Sequence, residues 1–148
     1  MEKLEFIKKK EKLLALIIRN EYTCDGVNFL TAEEYSQQVA YMHHSAGKKI
    51  DAHVHNPVYR NVVFTQEVLF IKKGELRVDF YDDYEDYQES RILKAGDVIL
   101  LVSGGHGFCV LKDVEMIEVK QGPYSGGTDK KRFDGILDTQ AIIRNKEE

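Results

Sequence analysis

Thr65-Gln66-Glu67-Val68-Leu69-Phe70-Ile71-Lys72-Lys73-Gly74-Glu75-Leu76-Arg77-Val78-Asp79-Phe80-Tyr81 is the stretch whose side-chain pattern decides the fold. Successive residues of a strand point to opposite faces. Over residues 75–81, Leu76, Val78 and Phe80 share one face, and Glu75, Arg77 and Asp79 share the other. That is a half-buried strand with a wet side. Over residues 65–71 both faces are apolar, with Glu67, Leu69 and Ile71 on one side and Gln66, Val68 and Phe70 on the other. Lys73-Gly74 reads as a turn between two strands, 62–73 and 75–82.

The flanking sequence continues the pattern. Further extended segments are expected at 27–30, 38–46, 49–55, 88–93, 97–102, 106–111 and 114–121. Turn signals separate them, among them Asn56-Pro57, Ala95-Gly96-Asp97, Ser103-Gly104-Gly105 and Lys112-Asp113. Many short strands with close turns and no helices between them predict a mainly β protein, an antiparallel barrel or sandwich over 27–121. Residues 2–20 read as an amphipathic α-helix, with Leu4, Ile7, Leu14, Ile17 and Ile18 near one face. Residues 122–148 form a C-terminal extension, with a short helix expected near 139–144 before a charged tail that frays. No repeat, low-complexity stretch or linker divides the chain, so a single domain over 1–148 is expected.

Composition narrows the classes of function. The 148 residues suffice for one domain with a substantial core. A net charge of −4, with no basic stretch interleaved with aromatics, argues against nucleic acid as a partner. The apolar run Leu13–Ile18 is too short to span a bilayer and no cleavage site follows it, so no membrane association is expected. Cys24 and Cys109 form no Cys-x-x-Cys pair and are expected to be reduced thiols in a cytoplasmic protein.

His53-Val54-His55, Glu67 and His106 carry the chemistry of interest. His-x-His on a strand sets two imidazoles side by side, and three imidazoles with one carboxylate suit a mononuclear divalent transition metal: Fe, Mn, Ni, Cu or Zn. With these ligands facing inward, Ile50, Val54, Val68 and Phe70 face outward and need cover. The helix or a partner subunit could supply it, and a homodimer is favoured. Tyr41, Tyr59, Arg60, Glu118 and Lys120 are candidates to orient a small-molecule ligand or transfer a proton. His44 and Asp51 could each add to the site or sit in solvent, and both readings stay open.

The glycine spacing resembles the cupin superfamily. Five residues separate Gly47 from His53, six separate Glu67 from Gly74, and Gly96-Asp97-Val98 with His106 is similar to the second cupin motif. The gap from His55 to Glu67 is longer than is usual there, and Val102 and Val110 replace the usual proline and asparagine. Glu118-Val119-Lys120-Gln121-Gly122-Pro123-Tyr124 further resembles the small WbuC-type cupin metalloproteins of bacterial surface-polysaccharide gene clusters. The resemblance implies a double-stranded β-helix, a jelly-roll barrel holding a metal on His53, His55, Glu67 and His106. It implies a metal-binding cupin, and an enzyme on a small polar substrate such as a sugar or sugar nucleotide in surface-polysaccharide metabolism is one reading. A noncatalytic metal- or ligand-binding cupin and a metal-free sugar-nucleotide isomerase or epimerase are the alternatives.

Overall fold

The structure is a computed structural model that describes residues 3–144. The strands, in chain order, are β1 (Leu4–Lys9), β2 (Lys12–Ile18), β3 (Gly26–Phe29), β4 (Ala40–His43), β5 (Glu67–Tyr81), β6 (Tyr87–Lys94), β7 (Val98–Leu101) and β8 (Gly105–Lys120). They belong to two compact units, Met1–Tyr22 with Thr65–Glu148 and, inserted between these, Thr23–Phe64. The first unit holds a six-stranded antiparallel sheet in the order β1-β2-β7-β5-β6, with β8 on the other side of β5. The second holds the β3–β4 hairpin.

The first unit is a small, mainly β structure, but not a closed jelly roll. Its sheet curls through 235° and stops with its edges 8 Å apart. Hydrogen-bonded strands lie about 4.8 Å apart, so that gap is too wide for direct pairing. The closed cupin barrel implied by the resemblance is therefore incorrect. So is the N-terminal α-helix, because no helix of seven or more residues occurs among the described residues. Residues 4–18 form the β1–β2 hairpin, turning at Lys10 with φ 52°. Leu14 to Ile17 are all buried because β2 lies between β1 and β7 and is covered on both faces. A continuous apolar run has no period of two, and its i, i+3 spacings imitate a helix. The turn at Lys10 lacks the glycine, asparagine or proline that would have marked it.

The two turns expected at Lys73-Gly74 and Lys112-Asp113 prove to be one bend. β5 runs through Gly74 and β8 runs through Asp113, and the two strands pair from Glu67↔Lys120 to Tyr81↔Gly105. Their register shifts between Ile71 and Leu76, and the inward parity changes there. Leu69 and Ile71 face the core before the bend, and Leu76, Val78 and Phe80 after it. Gly74 sits at φ +86°, where a Cβ would meet the Asp113 carbonyl oxygen at 2.0 Å.

The core gathers Ile7, Leu14, Ala15, Ile17, Leu69, Ile71, Leu76, Val78, Phe80, Leu93, Ile99 and Leu101. A buried ionic lattice ties the hairpin to the sheet. Arg19 Nε donates to Glu5 at 2.6 Å, and its Nη1 donates to Asp97 at 2.9 Å and to the Ile92 carbonyl at 2.7 Å. Arg91 Nε donates to the other Glu5 oxygen at 2.7 Å. Asp97 also accepts from the Asn20 and Lys94 backbone N–H groups, each at 2.9 Å. Charges buried this deeply are tolerable only when so fully satisfied.

The C-terminal segment runs as an extended strap instead of a helix at 139–144. Its helical content among the described residues is one 3₁₀ turn, Asp138–Gln140. Asp138 takes a hydrogen bond from Arg77 at 2.8 Å, and the Ile136 and Ile142 N–H groups donate to the hydroxyls of Tyr81 and Tyr87. Ser90 and Ile143 form a parallel bridge. The end of the charged tail lies outside the described residues.

Gly74→Ala is expected to cost about 3 kcal/mol or more, the sum of a left-handed β-carbon and an overpacked contact. Gly126→Ala, also at positive φ but with nothing within 4 Å of its Cβ, should lose only about 1–2 kcal/mol. Urea unfolding midpoints compare the two, and equal losses would show that the contact with Asp113 does not set the bend.

Candidate functional site

Glu67 and His106 lie near opposite ends of the β5–β8 ladder. His106 pairs with Phe80, thirteen residues along β5 from Glu67. In a straight strand that separation is about 40 Å. The bend folds the ladder back on itself, so that Glu67 Oε2 and His106 Nε2 lie 3.1 Å apart. Both face inward, Glu67 in the row of Leu69 and Ile71, and His106 in the row of Phe108 and Val110. The Glu67 side chain is buried, while His106 keeps 28% of its surface exposed. The His106 ring rests 5.2 Å from the Phe108 ring.

A cleft of about 610 Å³ opens over this pair. Leu101, Phe108 and Phe133 supply apolar wall, and Lys130, Lys131 and Arg132 supply cations. Thr65 Oγ1 donates to Asp129 Oδ2 at 3.2 Å, which fastens the cationic segment beside the first residue of β5. Lys131 is engaged by Glu85. Among the described residues, Lys130 and Arg132 make no ion pair. A smaller hollow of about 180 Å³ shares Asp129, Lys130 and Arg132 with the cleft and adds Lys120 and Tyr124.

The electrostatics follow from these neighbours. The hydrogen bond with His106 holds the Glu67 carboxyl below its ordinary range, with support from the charges of His106, Lys130 and Lys120, and burial opposes the shift only in part. Tyr81 also lines the cleft, and its hydroxyl is pushed up mainly by burial, although the Ile136 N–H bond opposes this. Tyr81 therefore stays protonated at neutral pH and is a hydrogen-bond donor.

Of the other residues singled out from the sequence, Lys120 and Glu118 lie on the inner face of β8, opposite Glu67 and Leu69 of β5, and pair with each other at 3.6 Å, and Lys120 reaches the smaller hollow. His53, His55, Tyr59 and Arg60 all belong to the second unit, in an exposed segment without regular structure. The His53 and His55 rings are neighbours, 5.3 Å apart, and His53 Nδ1 lies 3.0 Å from the Asp51 carbonyl oxygen. Tyr41 lies half-buried on β4, His43 pairs with Asp25 at 3.1 Å, and His44 and Asp51 are exposed.

The metal-binding cupin reading does not survive this geometry. Among the described residues, no group of three or more His, Cys, Asp and Glu side chains could hold a metal ion. Within the first unit Glu67 and His106 bond to each other, and within the second His53 and His55 are neighbours. Among the described residues no helix is long and apolar enough to cross a membrane.

Lys130, Arg132 and Tyr81 were not picked out by motif spacing. The signal for the two cations is the run Lys130-Lys131-Arg132-Phe133, cations beside an aromatic residue in the C-terminal extension.

Because the Glu67 carboxyl is held low, its ionised form stabilises the fold. That contribution is complete above its unfolded value, about 4.3, and is lost as the pH falls through the lower folded value. Glu67→Gln should therefore lower stability by about 1–2 kcal/mol at pH 6, with the difference from wild type shrinking below pH 4. Thermal melts of both proteins across pH 3–7 check this, and a difference that grows on acidification would contradict it. Set against protein families, curated proteins and solved structures, the chain matches none of them, so the structure itself supports the description of a small, mainly β protein with an open, curled antiparallel sheet.

Proposed function

We propose that the first unit is a binding module for a small organic anion, a carboxylate or a phosphate ester, taken into the cleft over Glu67 and His106. The observation that carries this reading is the placement of Lys130 and Arg132, cations without an ion-pair partner among the described residues, on the wall of a cleft whose base is a histidine held by a buried carboxylate.

Each part of the cleft has a task in that reading. Its volume of about 610 Å³ falls in the range of small-molecule sites, roughly 300–1,000 Å³. Arg132 offers a planar fork of donors to a carboxylate or phosphate, and Lys130 a compact charge. Glu67 fixes the His106 ring by accepting from Nε2, which leaves Nδ1 of the neutral ring to accept from a ligand hydroxyl group. Phe108, Phe133 and Leu101 provide apolar surface for the carbon skeleton of the ligand. Orientation by a few fixed polar groups within an apolar wall is the usual division of labour in such sites.

Titration calorimetry with matched pairs of small molecules tests the assignment, each pair being a phosphorylated or carboxylated compound and its neutral counterpart. The anionic member should bind more tightly by a factor of about 10 or more, and binding should weaken as ionic strength rises. The double variant Lys130→Ala with Arg132→Ala should lose at least about 10-fold in affinity while keeping the wild-type melting temperature within about 2 °C. Equal binding of neutral and anionic members, or unchanged affinity in the double variant, would overturn it.

A further inference from the structure

Two elements of this chain carry unsatisfied backbone and exposed apolar side chains. The first is β8. It pairs with β5 along one edge, and among the described residues no strand pairs with its other edge. An edge of 16 residues is long for a protein that must avoid adventitious pairing. Its apolar residues are exposed on both faces, Phe108 and Val110 on the inner one and Ile117 and Val119 on the outer one. Phe70, the ladder partner of Ile117, is exposed beside it.

The second element is the segment 45–64, an arm without regular structure. Val54 is 86% exposed and Phe64 78%, and Ile50, Val58 and Val63 are exposed as well. Among the described residues, the backbone hydrogen bond within it is that of Lys48 N–H to the Ser45 carbonyl. Ile50, Ala52 and Val54 alternate with Asp51, His53 and His55, the pattern of a strand with one apolar side. A polypeptide carrying this much apolar surface and so few backbone bonds has the character of half an interface.

We infer that residues 49–55 of the arm add as a strand to the free edge of β8 in a second copy of this chain, reciprocally, to make a two-fold symmetric dimer. The elements suit each other in backbone, apolar surface and charge. Each lacks the ladder that the other offers, and strand addition to an open edge supplies main-chain hydrogen bonds along its whole length. Ile50 and Val54 would extend the apolar row of Phe70, Ile117 and Val119. The arm has Lys48, Lys49 and Arg60 against Asp51, and β8 has Asp113, Glu115 and Glu118 against Lys112 and Lys120, so the net charges are opposite. Every copy carries both elements, so reciprocal exchange between two copies, related by a two-fold axis, occupies the arm and the edge of each. This arrangement does not depend on the cleft or its ligand.

Light scattering after size exclusion should give twice the 17.1 kDa chain mass. Val54→Asp and Ile50→Asp, at positions exposed in the single chain, should each weaken dimerisation at least 10-fold while leaving the far-ultraviolet circular dichroism unchanged. Hydrogen exchange should show residues 49–55 protected in the wild type, and unprotected in a dissociated variant. A Val54→Cys, Ile117→Cys protein oxidised in solution should migrate as a covalent dimer on a non-reducing gel. A wild-type monomer at high concentration, a dimer indifferent to both aspartates, unprotected arm amides, or a crosslink confined to single chains would each overturn the inference. The last of these would place the arm on its own β8.

Discussion

The close approach of Gly74 to the Asp113 carbonyl is the constraint on which the first unit depends. It lets two long paired strands bend together without either ending, and three consequences follow. The inward parity of β5 changes, so that residues of opposite numbering parity fill one core. The sheet curls without closing. The ends of the ladder, which a straight sheet would hold about 40 Å apart, meet as a hydrogen-bonded carboxylate and imidazole. Only a residue without a β-carbon fits where Gly74 lies, at positive φ against another backbone.

Charge supports this curled sheet where apolar packing alone would leave its parts loosely joined. Glu5 receives both Arg19 and Arg91, and Asp97 receives Arg19 and two backbone groups, so β1, the end of β2, β6 and the tight turn before β7 share one network. On the other side of the sheet, Arg77 bridges Asp79 and Asp138 and docks the C-terminal strap. Direct removal of one partner from such a lattice leaves a buried charge uncompensated, so its worth lies more in fixing one arrangement than in net stability. The strap matters to the cleft because the cationic wall at residues 130–132 is held between the Thr65–Asp129 bond and the Tyr81–Ile136 bond.

Much of the strand pattern was legible in the sequence. The faces assigned to residues 65–71 agree with the rows of β5, and the segments at 88–93 and 97–102 correspond to β6 and β7. The side of 75–81 read as wet is instead buried, with Arg77 and Asp79 covered where Arg77 docks the strap at Asp138. What failed did so for physical reasons. A strand covered on both faces, as at Leu14 to Ile17, has no alternation to read, and its turn at Lys10 uses a residue that seldom adopts positive φ. Gly74 and Asp113 were correct as places where the chain changes direction, but local signals do not distinguish a reversal from a bend that both strands follow. The 49–55 segment alternates as a strand should, yet alternation describes a preference that needs a neighbouring edge to be realised.

The site teaches a related point about spacing. His-x-His fixes where two rings lie relative to each other, and the rings of His53 and His55 are neighbours. It does not fix which other groups they meet, because that is decided by how distant segments are joined into sheets. Glu67 and His106 do meet, but as partners that satisfy one another, and a carboxylate and imidazole so engaged serve to orient a ring beside the cleft. The residues that give the cleft its chemical character, Lys130 and Arg132, belong to no motif. They matter because the strap carries them to the mouth of a curled sheet, where two cations that make no ion pair among the described residues line one cleft with an apolar wall. The proposed recognition of an anion rests on that juxtaposition, which is a property of the fold and not of any local run of sequence.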